Sequence, residues 1–321
     1  MPGDVHAAVV SPAPAPVGVQ ARPGVRVQVV VVAYNSAAVL PGCVAPLAAL
    51  DWVDVTVVDN ASSDDSLAAV SKLPVDAVRA PSNGGFAAGC NIGIPRSRSP
   101  YVLLVNPDAR IAPAELATLV NVLEREPGAA IVAPRLLESD GSLAWSQFRF
   151  PRRRSTYAQA LFLHRLWPLA CWTDEQVRDP AAYLRSGSPE WVSGACLLVR
   201  RAVLEQIGPL DEGFFMYCED MDLCARARAR GWNVRFEPRA TAQHDGGASR
   251  SRHDLLAVYA RSRVRFARKH AGRGAASAEA AGVMLGHLTH ALANARRPPA
   301  RRGHLRALAA AGHAALRQLK P

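Results

Sequence analysis

Tyr101-Val102-Leu103-Leu104-Val105 is a run of aromatic, β-branched and leucine side chains that stops abruptly at Asn106-Pro107-Asp108. A run this short and apolar, ended by a proline, reads as a strand buried on both faces. Such a strand needs cover above and below, which an open α/β sheet supplies. In that architecture ligands sit beyond the carboxyl ends of the strands, where Asn106 and Asp108 fall. An Asp there is placed to hold a divalent cation, and through it a diphosphate. The alternative is an ordinary Asx-turn, with Asp108 capping the next helix.

The preceding hundred residues repeat the pattern. Val27–Ala33 is a continuous Val-rich run, as in a central parallel strand, and ends in Tyr34-Asn35-Ser36. An apolar helical stretch over Val39–Leu50 contains Pro46, which costs about 3 kcal/mol in a helix interior and predicts a bend or break. Val55–Val58 is a second strand ending in Asp59-Asn60, and Ser62-x-x-Asp65 reads as a capping box opening a helix to about Leu73. Ala77–Ala80 is a short third strand before Asn83-Gly84-Gly85-Phe86, and Tyr101–Val105 is the fourth. After Pro113, Leu116, Leu119, Val120 and Leu123 share one helical face, and Ala129–Ala133 is a fifth strand. This alternation predicts a doubly wound, mostly parallel sheet flanked by helices. Its strand ends carry Asn35, Asp59, Asn83 and Asp108 in succession, which makes a nucleotide-binding edge.

Leu136–Glu190 is less regular, with an Arg cluster (Arg149, Arg152, Arg153, Arg154) and scattered aromatics, and reads as an excursion or lid. Order returns at Trp191-Val192-Ser193-Gly194-Ala195, a small-residue turn feeding a strand to Val199. A short helix then ends at Gly208. In Phe214-Phe215-Met216-Tyr217-Cys218-Glu219-Asp220-Met221-Asp222, three carboxylates open a helix that runs to Arg230, with Gly231 as its cap. The helix dipole explains one or two acids in a first turn but explains three poorly. A carboxylate beside an aromatic wall can serve as general base. Beyond a strand over Trp232–Phe236, His244 stands before Gly246-Gly247, either as a metal or phosphate contact or as a histidine with no ligand.

The net charge of +11 is unevenly placed. From Gly247 onward there are fifteen Lys or Arg against Asp254 and Glu279, while the rest of the chain carries a net −2. A near-neutral main domain argues against nucleic acid as its substrate, and the basic end suits an anionic membrane surface. Within it, Leu255–His270 predicts an amphipathic basic helix, followed by Ala-rich helices over Ala281–Ala295 and His304–Leu319. The six cysteines show no Cys-x-x-Cys pairing and are expected to be buried thiols. Residues 1–24 read as a disordered leader without a secretion signal. No window reaches about 18 uninterrupted apolar residues, so a cytoplasmic protein, peripheral at the inner face of the membrane, is expected.

These stretches resemble the inverting glycosyltransferases of family 2, which have the GT-A fold, and most closely their rhamnosyltransferase-like branch. The matching segments are Val32-Ala33-Tyr34-Asn35, Val57-Val58-Asp59-Asn60-Ala61-Ser62-x-Asp64, Asn83-Gly84-Gly85-Phe86-Ala87-x-Gly89-x-Asn91 and Leu104-Val105-Asn106-Pro107-Asp108. They continue as Gly194-Ala195, Gly208-x-x-Asp211-x-x-Phe214-Phe215-x-Tyr217-x-Glu219-Asp220-x-Asp222, Gly231-Trp232 and His244-x-Gly246-Gly247-x-Ser249. The resemblance implies a GT-A domain over 25–250, with a nucleotide-binding half (25–134) and an acceptor half (135–250), followed by a basic helical extension (251–321). It implies donor-nucleotide contacts at Tyr34, Asn35, Asp59, Asn60, Asn83, Gly84, Phe86 and Asn106. Asn106-Pro107-Asp108 falls on the family's Asp-x-Asp metal motif with its first acid replaced, so Asp108 carries the Mg2+ or Mn2+, helped by His244. Glu219-Asp220 falls on the acidic pair, with Asp220 the base. Trp191, Ser193 and Gly194 fall on the acceptor and sugar side.

The implied reaction is a single displacement. One carboxylate deprotonates an acceptor hydroxyl, which attacks the anomeric carbon of a nucleotide sugar with inversion. The implied donor is dTDP-rhamnose and the acceptor a cell-envelope glycan or polyprenyl-diphosphate-linked sugar. UDP-galactofuranose, UDP-glucose or UDP-GlcNAc are alternative donors. A non-catalytic nucleotide-sugar binding module is the alternative from another class, though it would have no need of a base.

Overall fold

A computed structural model describes residues 24–246 and 252–319; the leader, apart from Gly24, and Ser249 lie outside them. β1 (Val27–Ala33), β2 (Val53–Asp59), β3 (Asp76–Arg79) and β4 (Tyr101–Val105) are parallel neighbours, in the order β3-β2-β1-β4. Every residue of β1 and of β4 is buried, as their unbroken apolar runs require. The register pairs Ala33 with Asp59 and Val31 with Val105, so the polar residues after each strand emerge along one edge.

Between these strands lie α1 (Leu40–Ala48), α2 (Ser66–Val70) and α3 (Gly85–Gly93). α1 runs unbroken through Pro46, which falls only two residues before the helix ends. The predicted capping box is not formed. α2 starts at Ser66, and the Asp64 carboxylate accepts from the Ser66 and Ala37 amides at 3.1 and 3.0 Å. Ser62 turns instead toward β1, its Oγ accepting from the Asn35 amide at 2.9 Å. The helix therefore borrows its cap from an acid that also ties down the first-strand loop.

Beyond β4 come β5 (Ala109–Ile111), α4 (Pro113–Arg125), β6 (Ala129–Leu137), β7 (Gln147–Phe148), α5 (Arg153–Ala160), β8 (Trp191–Val192), β9 (Cys196–Arg200), α6 (Arg201–Ile207), α7 (Glu219–Ala229) and β10 (Asn233–His244). They extend the sheet as β4-β9-β6-β10-β5, with only β9 and β5 running against the rest, while β7 and β8 form a separate ribbon. β10 runs twelve residues, well past the predicted Phe236, and passes an irregularity between Glu237 and Thr241 before rejoining β6. All six cysteines are unpaired, and five are buried; Cys171 is exposed, against expectation. Among the described residues no helix is long and apolar enough to cross a membrane.

The C-terminal region is α8 (Arg252–Ala293) and α9 (Pro298–Leu319). α8 breaks at Gly272 (φ +86°) and doubles back. Arg263 donates to Glu279 at 2.8 Å, whereas sixteen residues along a straight helix would separate them by about 24 Å. Ala260 and Val264, Ala276 and Ala280, and Ala307 and Ala311 form the small-residue core between the two arms and α9.

Three of the five cations in the basic stripe expected to face a membrane are paired with acids of the protein. Arg263 is buried and also holds Glu175, on the excursion, while Arg265 and Lys269 bond Asp211 at 2.8 Å each. Removing one partner of a buried ion pair typically costs about 3–5 kcal/mol. Arg263→Ala is expected to lower unfolding free energy by about that amount in urea titration; a loss typical of an exposed pair, under about 1 kcal/mol, would contradict the burial.

Candidate active site

The polar strand ends surround a single cavity of about 320 Å³. Its lining includes Tyr34, Asn35, Asn60, Asn83 and Phe86 from the first three loops, Asn106 and Asp108 after β4, and Ser193 and Gly194 before β9. Glu219 and Asp220, at the start of α7, and His244, at the end of β10, complete the polar wall. Three expected residues lie outside the lining. The Asp59 carboxylate is buried against the Ser62 amide at 3.1 Å, with the Arg79 guanidinium 3.6 Å away. Gly84 lies behind Asn60, whose side chain accepts from its amide at 3.2 Å. Trp191 stacks on Phe148 with centroids 4.1 Å apart and donates to the Arg149 carbonyl at 3.0 Å, so it anchors the β7–β8 ribbon.

Each loop is fixed by its neighbours. The Asn60 amide nitrogen donates to Asn83 Oδ1 and to the Gly85 carbonyl, both at 3.0 Å. Gly85 has φ +86°, and a Cβ there would stand 1.9 Å from the Phe215 carbonyl oxygen. Only glycine admits that approach, which lets the Phe86 amide donate to the same carbonyl at 3.0 Å. The 214–218 loop is thereby drawn over the cavity, where Phe215, Met216 and Tyr217 join the lining.

Asp108 does not cap a helix: α4 begins at Pro113, with Ala112 before it. Instead β5 pairs with β10 so that Ala109 faces His244, and His244 Nε2 comes to 3.4 Å from Asp108 Oδ1 and 3.3 Å from Asn106 Nδ2. Among the described residues no group of three His, Cys, Asp or Glu converges as a closed metal site. The Asp108 carboxylate on the cavity wall nonetheless fits a hard divalent cation that keeps open positions for a diphosphate and water, and the imidazole beside it suits Mn2+ better than Mg2+.

Across the same cavity, Asp220 accepts from the Gly194 amide and the Met221 amide, each at 2.8 Å. Glu219 is buried, and its Oε2 has no hydrogen-bond partner. Burial raises the pKa of both acids; for Glu219 the charge of Asp220 adds to it, and for Asp220 the two amides only partly offset it. The third acid behaves oppositely. Asp222 is fully buried, but bonds from His270, Lys269 and Arg226 outweigh burial and hold it below the usual carboxylate range. Asp222 is therefore an anchor for α8 outside the cavity.

Residues 28–186 match glycosyl transferase family 2. The chain is 31% identical over 236 residues to N-acetylglucosaminyl-diphospho-decaprenol L-rhamnosyltransferase of Mycobacterium tuberculosis, an alignment covering 68% of this chain and 76% of that protein. The chain belongs to glycosyl transferase family 2. It is a glycosyltransferase, which sets aside the non-catalytic alternative. A mannosyltransferase from Pyrobaculum calidifontis, solved with GDP-Man and Mn2+, superposes with a TM-score of 0.54 at 18% identity, over 94% of this chain and 90% of that one. GalNAc-T7, solved with UDP, GalNAc and Mn2+, gives 0.52 at 14% identity, over 74% of this chain and 47% of that one. These likenesses establish the GT-A fold for this family 2 transferase.

The lining also includes a residue from a region of the chain where no site residue was expected. Leu255, from the first arm of α8, reaches the cavity, so the C-terminal helices contribute to the site. The Phe215–Tyr217 wall was signalled by its aromatic composition. Nothing in the local sequence signals Leu255.

Because its pKa is raised in the folded state, Glu219 costs stability as pH rises from its ordinary value through its folded value. The stability of Glu219→Gln relative to the native chain should therefore grow between pH 5 and pH 9 in urea titrations. A difference that is flat or falls with pH would contradict the burial of an ionisable Glu219.

Proposed function

We propose that this transferase moves a deoxyhexose, with rhamnose the first candidate, from a nucleoside-diphosphate donor to a polyprenyl-diphosphate-linked or cell-envelope glycan acceptor, with inversion. The observation that carries the reading is that one cavity is walled by both Asp108–His244 and Glu219–Asp220. The name of the M. tuberculosis relative supports rhamnose and a lipid-linked diphosphate acceptor.

Asn35, Asn60 and Asn83 line the nucleotide end, where amide side chains can bond a base and ribose. Asp108 and His244 would hold Mg2+ or Mn2+, which neutralises the diphosphate and makes it a good leaving group. Asp220 is the general base. Its two amide bonds fix the carboxylate, and its raised pKa strengthens it as a base relative to an ordinary Asp. It takes the proton of the acceptor hydroxyl as that oxygen bonds the anomeric carbon. The bond from that carbon to the diphosphate oxygen breaks, and the electron pair leaves with the nucleotide. One displacement inverts the anomer and needs no enzyme nucleophile. Glu219, shielded and raised, favours its protonated form and so keeps a second negative charge away from Asp220.

Asp220→Asn should lower turnover by about 100- to 10,000-fold with donor affinity nearly unchanged, read by nucleotide release and by donor titration. Near-native turnover would remove Asp220 from the role. Asp108→Ala should weaken donor binding and turnover together, and EDTA should abolish activity until Mg2+ or Mn2+ is restored. Activity indifferent to EDTA would overturn the metal assignment.

A further inference from the structure

Leu161, Leu166, Trp167 and Leu169 are more than half exposed, at 53%, 68%, 52% and 69%. Four large apolar side chains in nine residues, all facing water, need an explanation beyond the scattered leucines of ordinary surfaces. The stretch from Arg153 to Thr173 contains no acid, and neither does 280–319.

The fold brings these two acid-free stretches together. Thr289 Oγ1 donates to the Ala160 carbonyl at 2.7 Å, and the Phe162 ring lies 4.4 Å from the His290 ring. Beside that contact, Leu288 and Leu292 are exposed four residues apart, on one face of α8. The turn from α8 into α9 adds the exposed cations Arg296, Arg297, Arg301 and Arg302. No salt bridge ties any of these four to an acid among the described residues. Exposed Trp and Leu together with exposed arginines, the nearby Asp174 being buried and paired with Arg178, fit the headgroup region of an anionic bilayer.

The hairpin geometry also gives this face a place relative to the cavity. Arg263 and Glu279 are level with each other across the two arms of α8. Leu255 and His287 are each eight residues beyond that pair, about 12 Å along their arms toward the same end. Leu255 lines the cavity, so Leu288, Leu292 and the arginine turn share the end of the helical hairpin that meets the site.

We propose that residues 161–172 and the α8–α9 turn form one docking face for an anionic lipid surface. This replaces Leu255–His270 as the membrane-contacting element, because three of that arm's five cations, Arg263, Arg265 and Lys269, are bonded to acids of the protein. The face does not depend on the sugar or the acceptor assigned above, so it can fail while the transferase reading stands.

The test is co-sedimentation of the full chain with phosphatidylcholine vesicles, with and without phosphatidylglycerol. Binding is expected with anionic vesicles, and at least about tenfold less with neutral ones. The double variant Leu166→Asp/Trp167→Asp, and separately Arg296→Glu/Arg297→Glu/Arg301→Glu/Arg302→Glu, should each lose most of that binding. Both should keep native donor hydrolysis, which shows that they fold. Arg261→Glu/Arg268→Glu should bind as the native chain does. The proposal is overturned by no binding to anionic vesicles, by equal binding to neutral ones, or by retention in both face variants. It is equally overturned if light scattering shows a dimer that Trp167→Asp dissolves, which would give the face to a second copy of the chain.

Discussion

The three residues Ser193-Gly194-Ala195 hold the two chemical halves of the site in register. The Gly194 amide donates to Asp220, and the Ala195 carbonyl accepts from the Asn106 amide at 2.9 Å. One turn thus fixes the position of Asp220 and of the loop that carries Asp108. A Cβ on Gly194 would come within 3.1 Å of Asp220 Cβ, so the small residue is what allows the acid to sit against the backbone. β9 then carries the turn into the middle of the sheet, antiparallel to β4, which makes the spacing between the two halves a property of the sheet. Catalytic geometry built on strands is held more tightly than geometry built on free loops.

The roof of the cavity is less comfortable. Tyr217 and Cys218 both have left-handed backbones, at φ +67° and +68°, and such conformations cost a non-glycine residue about 1–3 kcal/mol each. The surrounding contacts show what sustains them. Ser262 Oγ donates to the Met216 carbonyl at 2.9 Å, Tyr259 meets Tyr217 edge-on at 5.7 Å, and the Phe215 carbonyl receives the Phe86 amide. Two of those three supports come from α8. The helical region after the sheet therefore braces the strained turn that aims Glu219 and Asp220, besides supplying Leu255 to the lining.

Legibility in the sequence followed the range of the interactions. β1 and β4 could be bounded to the residue because continuous burial on both faces leaves an unbroken apolar run. The polar strand ends were legible for the same reason, since each is a local change of character at a predictable place in an open sheet. The closeness of Asp108 and His244 is invisible to local pattern, because it depends on the pairing of β5 with β10 across well over a hundred residues. The capping box at Ser62 failed on a long-range competitor: the Asn35 amide takes the Ser62 hydroxyl, and Asp64 serves α2 instead. Trp191 was misplaced because an aromatic beside a small-residue turn reads the same whether it lines a cavity or stacks on Phe148. The pairing of Arg263, Arg265 and Lys269 on α8 was not legible, because sequence shows a cation without showing Glu175, Glu279 or Asp211 folded against it.

The acids at the start of α7 show how far one turn of helix can be divided. Glu219, Asp220 and Asp222 share the same dipole, so the dipole cannot be what separates them. Their partners do. Asp222 faces Arg226, Lys269 and His270 and stays ionised, a fixed charge spent on joining α7 to α8. Glu219 is buried without a cation, and Asp220 meets only backbone amides, so both are pushed the other way. Opposite shifts in neighbouring carboxylates mark which can move protons near neutral pH and which cannot. The attachment of α8 through Lys269 and His270 therefore helps set Asp222 apart from its two neighbours.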